Sequence, residues 1–237
     1  VPVTPKSSLT IQKVVKGING TTDIPPKGKY EFKVKFGDGI RVSGKPDVAE
    51  WDDPEKAYIV ELNNEGEATF EGIPVGTKYT VTETGSENVD EEYVLTGITA
   101  QIAAEKPVEA NTPRPETLSI SGVIQKDAGE NKVVFTNTYG KYQYITLKKE
   151  VVGKDSPTDE YTFKVTVNDQ EYADSPYMIL ADDTATIRIE PEDADKTFTI
   201  TESDTKGAWK TTVTKNSENP KDETTIKAKA GDVILFT

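Results

Sequence analysis

Apolar and polar residues alternate along most of this chain in short runs. Residues 9–15 (LTIQKVV), 30–36 (YEFKVKF), 79–83 (YTVTE) and 133–139 (VVFTNTY) keep a period of two. That spacing puts every second side chain on one face of a strand. Residues 57–62, 67–70, 93–102 and 118–124 are further strand candidates. Gly, Pro, Asn and Asp gather between them, at 16–20, 25–28, 63–66 and 72–76, and read as turns. Residues 37–57 and 104–117 read as longer loops, the first with a short helical turn near Pro54. Residues 1–8, with two prolines, read as a linker.

Three of the strands break their own pattern. Lys13 shares its phase with Leu9, Ile11 and Val15; Glu83 shares its phase with Tyr79 and Val81; Asn137 shares its phase with Val133, Phe135 and Tyr139. One amine, one carboxyl and one amide therefore fall on the core side. A buried polar group is costly unless it is hydrogen-bonded or has reacted.

The pattern then restarts. After a joint at 140–144, residues 145–149 (ITLKK) repeat 9–13, residues 161–167 (YTFKVTV) repeat 30–36, and residues 198–202 (FTITE) repeat 79–83. Residues 185–189 match the stretch around Ala68, Trp209 and the strand after it stand where 93–102 stood, and 233–237 (VILFT) repeat 132–136. Lys149 and Glu202 thus occupy the places of Lys13 and Glu83, and the place of Asn137 would be the residue after Thr237. Lys148, the neighbour of Lys149, points outward in this phase. A tandem repeat of about seven short strands, without a long amphipathic helix, predicts an all-β chain of two tandem immunoglobulin-like β-sandwiches: a first domain at 9–140, and a second at 141–237 whose last strand is cut short.

Composition narrows the chemistry. The 237 residues carry a net charge of −13, which argues against nucleic acid and anionic membrane surfaces as partners. With no Cys there is no disulfide or thiolate, and with no His the usual general base and commonest metal ligand are gone. No apolar run reaches the length of a membrane span. Val1 is no natural start, so the chain reads as a piece of a longer protein. The acidic groups at 50–53 and 190–195 lack the spacing of a calcium loop and read as solvated turns, so neither metal nor cofactor is expected. Trp51 and Trp209 read as packing residues before sugar platforms.

Two outcomes would satisfy an inward Lys, Glu and Asn: a hydrogen-bonded trio left unreacted, or covalent union. Burial favours the neutral forms of amines and acids, so a dry amine is nucleophilic and a dry carboxyl can polarise an amide and shuttle protons. Attack of the Lys13 amine on the Asn137 side-chain carbon would expel ammonia and leave an amide bond. Proximity of this kind is worth roughly 7–11 kcal/mol of barrier. The reaction turns over once, so the chain is not an enzyme in the ordinary sense.

The motifs LTIQKVVKG, IPVGTKYTVTE and VVFTNTY resemble those of the B-type (CnaB-like) domains of Gram-positive collagen adhesins, and most closely the C-terminal domain of streptococcal-type major pilins. The resemblance implies an intramolecular isopeptide bond between Lys13 and Asn137 assisted by Glu83, and a second bond from Lys149, assisted by Glu202, to an Asn just after Thr237. It also implies a stalk or shaft role at the cell wall of a Gram-positive bacterium, with neighbouring domains or subunits of the same surface protein as partners. A second reading makes the first copy, with its longer loops, a module that binds a host matrix protein or glycan. A third, an accessory domain of a secreted glycosidase, has less behind it.

Overall fold

The computed structural model describes residues 3–110, 112–153, 158–208 and 210–237. The chain divides into two compact units, the first ending at Gly140 and the second running Lys141–Thr237.

In the first unit the alternating runs become β1 (Lys6–Gly17), β2 (Lys29–Phe36), β3 (Ala49–Asp52), β4 (Ala57–Asn63), β5 (Glu67–Pro74), β6 (Lys78–Glu87), β7 (Tyr93–Ile102), β8 (Val108–Glu109), β9 (Leu118–Val123) and β10 (Lys132–Lys141). They form two five-stranded sheets, ordered β5-β1-β10-β7-β8 and β3-β4-β2-β6-β9. The inward faces of both sheets meet in one core. Leu9 and Ile11 of β1, Phe32 and Val34 of β2, Phe70 of β5, Val81 of β6, and Val133 and Phe135 of β10 are all fully buried there. Each such side chain contributes about 1.5–3 kcal/mol relative to exposure. The first and last strands, β1 and β10, lie side by side and parallel, with Lys13 opposite Phe135 and Val15 opposite Asn137.

Two sequence expectations are corrected here. The stretch 1–8 is not linker throughout: β1 already begins at Lys6, because Lys6 and Ser7 pair with Pro74 and Ile73, and the Ser7 hydroxyl donates to the carbonyl of Lys126. The stretch 37–57 is not loop throughout: besides a hydrogen-bonded turn at 53–56, where the Lys56 N–H donates to the Asp53 carbonyl, it is partly strand. It holds β3, an edge strand paired with β4, anchored by the fully buried Ala49.

The second unit repeats the plan with β11 (Gln143–Lys149), β12 (Glu160–Val167), β13 (Gln170–Glu171), β14 (Tyr177–Leu180), β15 (Thr184–Ile189), β16 (Phe198–Glu202), β17 (Val213–Lys215), β18 (Thr225–Ala228) and β19 (Val233–Phe236). Its sheets run β15-β11-β19-β17 and β13-β12-β16-β18, with β14 also on β12. The registers repeat as well. Lys149 lies opposite Phe236 on the parallel pair β11–β19, as Lys13 lies opposite Phe135. Phe163 lies opposite Glu202, as Phe32 lies opposite Glu83. Both units are all-β sandwiches.

Candidate functional site

Three strands converge on one point in the first core. β1 presents Lys13, β10 presents Asn137, and β6, from the facing sheet, presents Glu83. All are at most 1% exposed. The phase of each strand leaves no choice: a one-residue slip would turn Leu9, Ile11 and Val15 to water along with Lys13. The Lys13 ammonium donates to Glu83 Oε2 at 2.8 Å, and Asn137 Nδ2 donates to Glu83 Oε1 at 2.5 Å. One carboxylate therefore touches both the amine and the amide, one oxygen to each.

The walls are aromatic. The Lys13 nitrogen stands 4.2 Å from the centre of the Tyr30 ring and 5.9 Å from that of Phe32, and Phe32 meets Phe135 edge to face. This dry setting pushes the Lys13 pKa down from 10.5 to about 8; burial is the largest cause, partly opposed by the charge and hydrogen bond of Glu83. Among the described residues nothing donates a hydrogen bond to the buried Asn137 Oδ1. Leaving such a group unpaired costs about 1–3 kcal/mol. It is the amide nitrogen of Asn137 that faces the acid.

The second unit builds the same corner. Lys149 is 5% exposed and Glu202 3%, with the ammonium 2.9 Å from Glu202 Oε1 and 4.5 Å from the centre of the Tyr161 ring. A cavity of about 270 Å³ opens beside it, lined by Lys149, Val151, Tyr161, Thr212 and Thr237 among others. The position matching Asn137 falls beyond Thr237 and so beyond the sequence. Lys148, on the opposite face of β11, is exposed.

Asn131, the residue just before β10, continues the strand's inward phase and is fully buried. The period-two pattern that singles out Asn137 would have found it too. Its chemistry is different, because every polar atom is occupied. Its Oδ1 accepts from the Gln125 N–H, and its Nδ2 donates to the Gln125 carbonyl and to the Ser7 hydroxyl. It pins the turn before β10 to the start of β1. Asn131→Ala should cost about 2–3 kcal/mol by stranding the Gln125 groups, read as a lower denaturation midpoint with the mass behaviour of the wild type.

Trp51 packs within its loop. Its ring meets Tyr58 edge to face at 5.0 Å, the Arg41 guanidinium lies over it at 4.7 Å, and its N–H donates to Asp53. Trp209 lies outside the described residues. Among the described residues no three acidic side chains converge as a metal site would require.

No curated protein matches the chain. Among solved structures it is similar to an adhesin from Mobiluncus mulieris containing intramolecular disulfide, isopeptide and ester bond cross-links, at 12% identity over 98% of both chains with a TM-score of 0.42. It is also similar to the major pilin of Streptococcus pyogenes, at 17% identity over 97% of both chains and a TM-score of 0.28. A pilus-presented adhesin, Spy0125, matches at 21% identity over 56% of this chain, with a TM-score of 0.34. The matched region spans only 27% of that adhesin's length. Residues 145–237 match the family described as a domain of unknown function, DUF5979. Residues 7–139, more than half of the sequence, match a second family in full register with the first sandwich, and the chain belongs to that family, the domain of unknown function DUF7601.

Proposed function

We propose that this chain is a stalk or shaft region of a cell-wall-anchored surface protein or pilin, and that its first unit locks itself shut with an amide bond between Lys13 and Asn137. The observation that carries the reading is the single buried carboxylate of Glu83, in contact with the amine on one side and the amide on the other. Lys13 passes a proton to Glu83 Oε2, and the neutral amine attacks Asn137 Cγ. Glu83 returns a proton through Oε1 to Nδ2 as the carbon–nitrogen bond breaks. The lysine nitrogen loses two protons in all: one leaves within ammonia and one remains on Glu83. Burial supports this by weakening the hold of Lys13 on its proton. The released ammonia makes the step irreversible in dilute solution.

The position of the bond supplies its use. β1 and β10 are the first and last strands of the unit and lie parallel. Tension on the two ends of the unit would shear exactly this pair, and a bond from Lys13 to Asn137 takes the load in place of hydrogen bonds. The surface location, the wall attachment and the association with neighbouring domains or subunits belong to the same proposal.

Single-molecule stretching tests the mechanical reading. The cross-linked unit should yield no unfolding extension. The Asn137→Ala unit should lengthen by on the order of 40 nm, the contour of the chain between the two positions at about 3.3–3.6 Å per residue. An equal extension in both would refute a load-bearing bond.

A further inference from the structure

The two lysines share a feature that the acid–amide chemistry does not require. Lys13 sits over the face of Tyr30, and Lys149 sits over the face of Tyr161, at 4.2 and 4.5 Å from the ring centres. Tyr30 and Tyr161 are matching residues: each stands two positions before the phenylalanine that lies opposite the acid, Phe32 before Glu83 and Phe163 before Glu202. The arrangement therefore recurs in two units whose surrounding loops differ. We propose that Tyr30 and Tyr161 are positioning residues for cross-linking: the face of each ring anchors the lysine ammonium in the dry core until its proton passes to the carboxylate.

The inference rests on the amide bond proposed above. A free lysine side chain, with four rotatable bonds, has much rotamer freedom to lose when it is ordered. An ammonium out of water is attracted to the electron-rich face of an aromatic ring, far more strongly than at an exposed site. The ring thus repays the ordering of the amine next to its target. Tyr30 is itself held. It is fully buried, and its hydroxyl lies so close to Gly28 that a Cβ there would come within 2.6 Å of it. Burial, with Tyr139 and Glu83 adding, pushes the Tyr30 pKa far above its usual value, so the ring serves as a neutral face and exchanges no proton. The titratable groups around the amine are Glu83 on β6 and Tyr30 on β2, with Tyr139 on β10 beside Tyr30.

Because the ring favours the ammonium over the amine, it also sets the pH at which the reaction starts. The test uses the full chain, made by cell-free synthesis, folded at low pH and jumped to a range of higher pH, with ammonia loss followed by intact mass. Tyr30→Phe should react with the midpoint of the wild type. Replacing that phenylalanine by increasingly fluorinated analogues drains the ring face at nearly constant shape. The midpoint should then fall by roughly one pH unit, and the rate below the midpoint should rise about tenfold. Tyr30→Leu should lose about tenfold or more of the plateau rate as the amine loosens. A midpoint that stays fixed across the fluorinated series overturns the inference, even if Tyr30→Leu fails to fold. A wild-type chain that loses no ammonia at any pH overturns the bond instead, so the two failures are told apart.

Discussion

Glu83→Ala should keep its full sequence mass and become the least stable single variant of the first unit. Two losses add. The carboxylate that links amine and amide is gone, so the bond does not form. The Lys13 ammonium also stays in the core with no counter-charge. Removing one partner of a buried ion pair costs about 3–5 kcal/mol. Losing the covalent closure costs roughly a further 4–5 kcal/mol, by analogy with a disulfide that closes a loop of about 100 residues. The sum approaches the whole stability of an ordinary domain, about 5–15 kcal/mol. Thermal unfolding followed by circular dichroism, with intact mass on the same sample, checks both parts. A cross-linked Glu83→Ala chain would remove Glu83 from the reaction.

Asn137→Ala isolates the bond from the charge. The Lys13–Glu83 contact survives, and the unpaired Oδ1 of Asn137 disappears. The expected loss is then about 4–5 kcal/mol, roughly 15–20 °C in the melting temperature of a unit this size. This variant should also reveal a pH dependence that the wild type hides. Its Lys13 amine persists, with a pKa near 8 when folded and 10.5 when exposed. Between those values the unfolded chain binds more protons than the folded one, so unfolding free energy rises with pH across that window. Below about pH 8 the burial penalty is fully present. In a wild type cross-linked as proposed, Lys13 would be an amide nitrogen with nothing to titrate, and that slope should be absent.

The sequence exposes the corner so well because a period of two assigns every residue to a face. Lys13, Glu83 and Asn137 had no outward alternative without expelling Leu9, Val81 or Phe135. The repeat added weight by placing Lys149 and Glu202 in the same phases. What stayed hidden depended on partners distant in sequence. β3 escapes notice because Pro46 and Pro54 flank it and Glu50 and Asp52 are polar, so only its pairing with β4 makes it a strand. The start of β1 at Lys6 is set by Ile73 and Pro74 across the sheet, which no local pattern encodes. Asn131 and Asn137 share a residue type and a phase; the Gln125 backbone that satisfies the first, and the Glu83 carboxylate that engages the second, come from the fold. Tyr30 reads as one more aromatic core residue until Lys13 is seen against its face.

The most direct measurement is the intact mass of the purified 237-residue chain under denaturing conditions, followed by digestion and sequencing of any branched peptide. The account predicts a species lighter than the sequence by one ammonia, with Lys13 joined to Asn137 in a single fragment. A mass equal to that of the sequence, with Lys13 and Asn137 recovered on separate peptides, would contradict it.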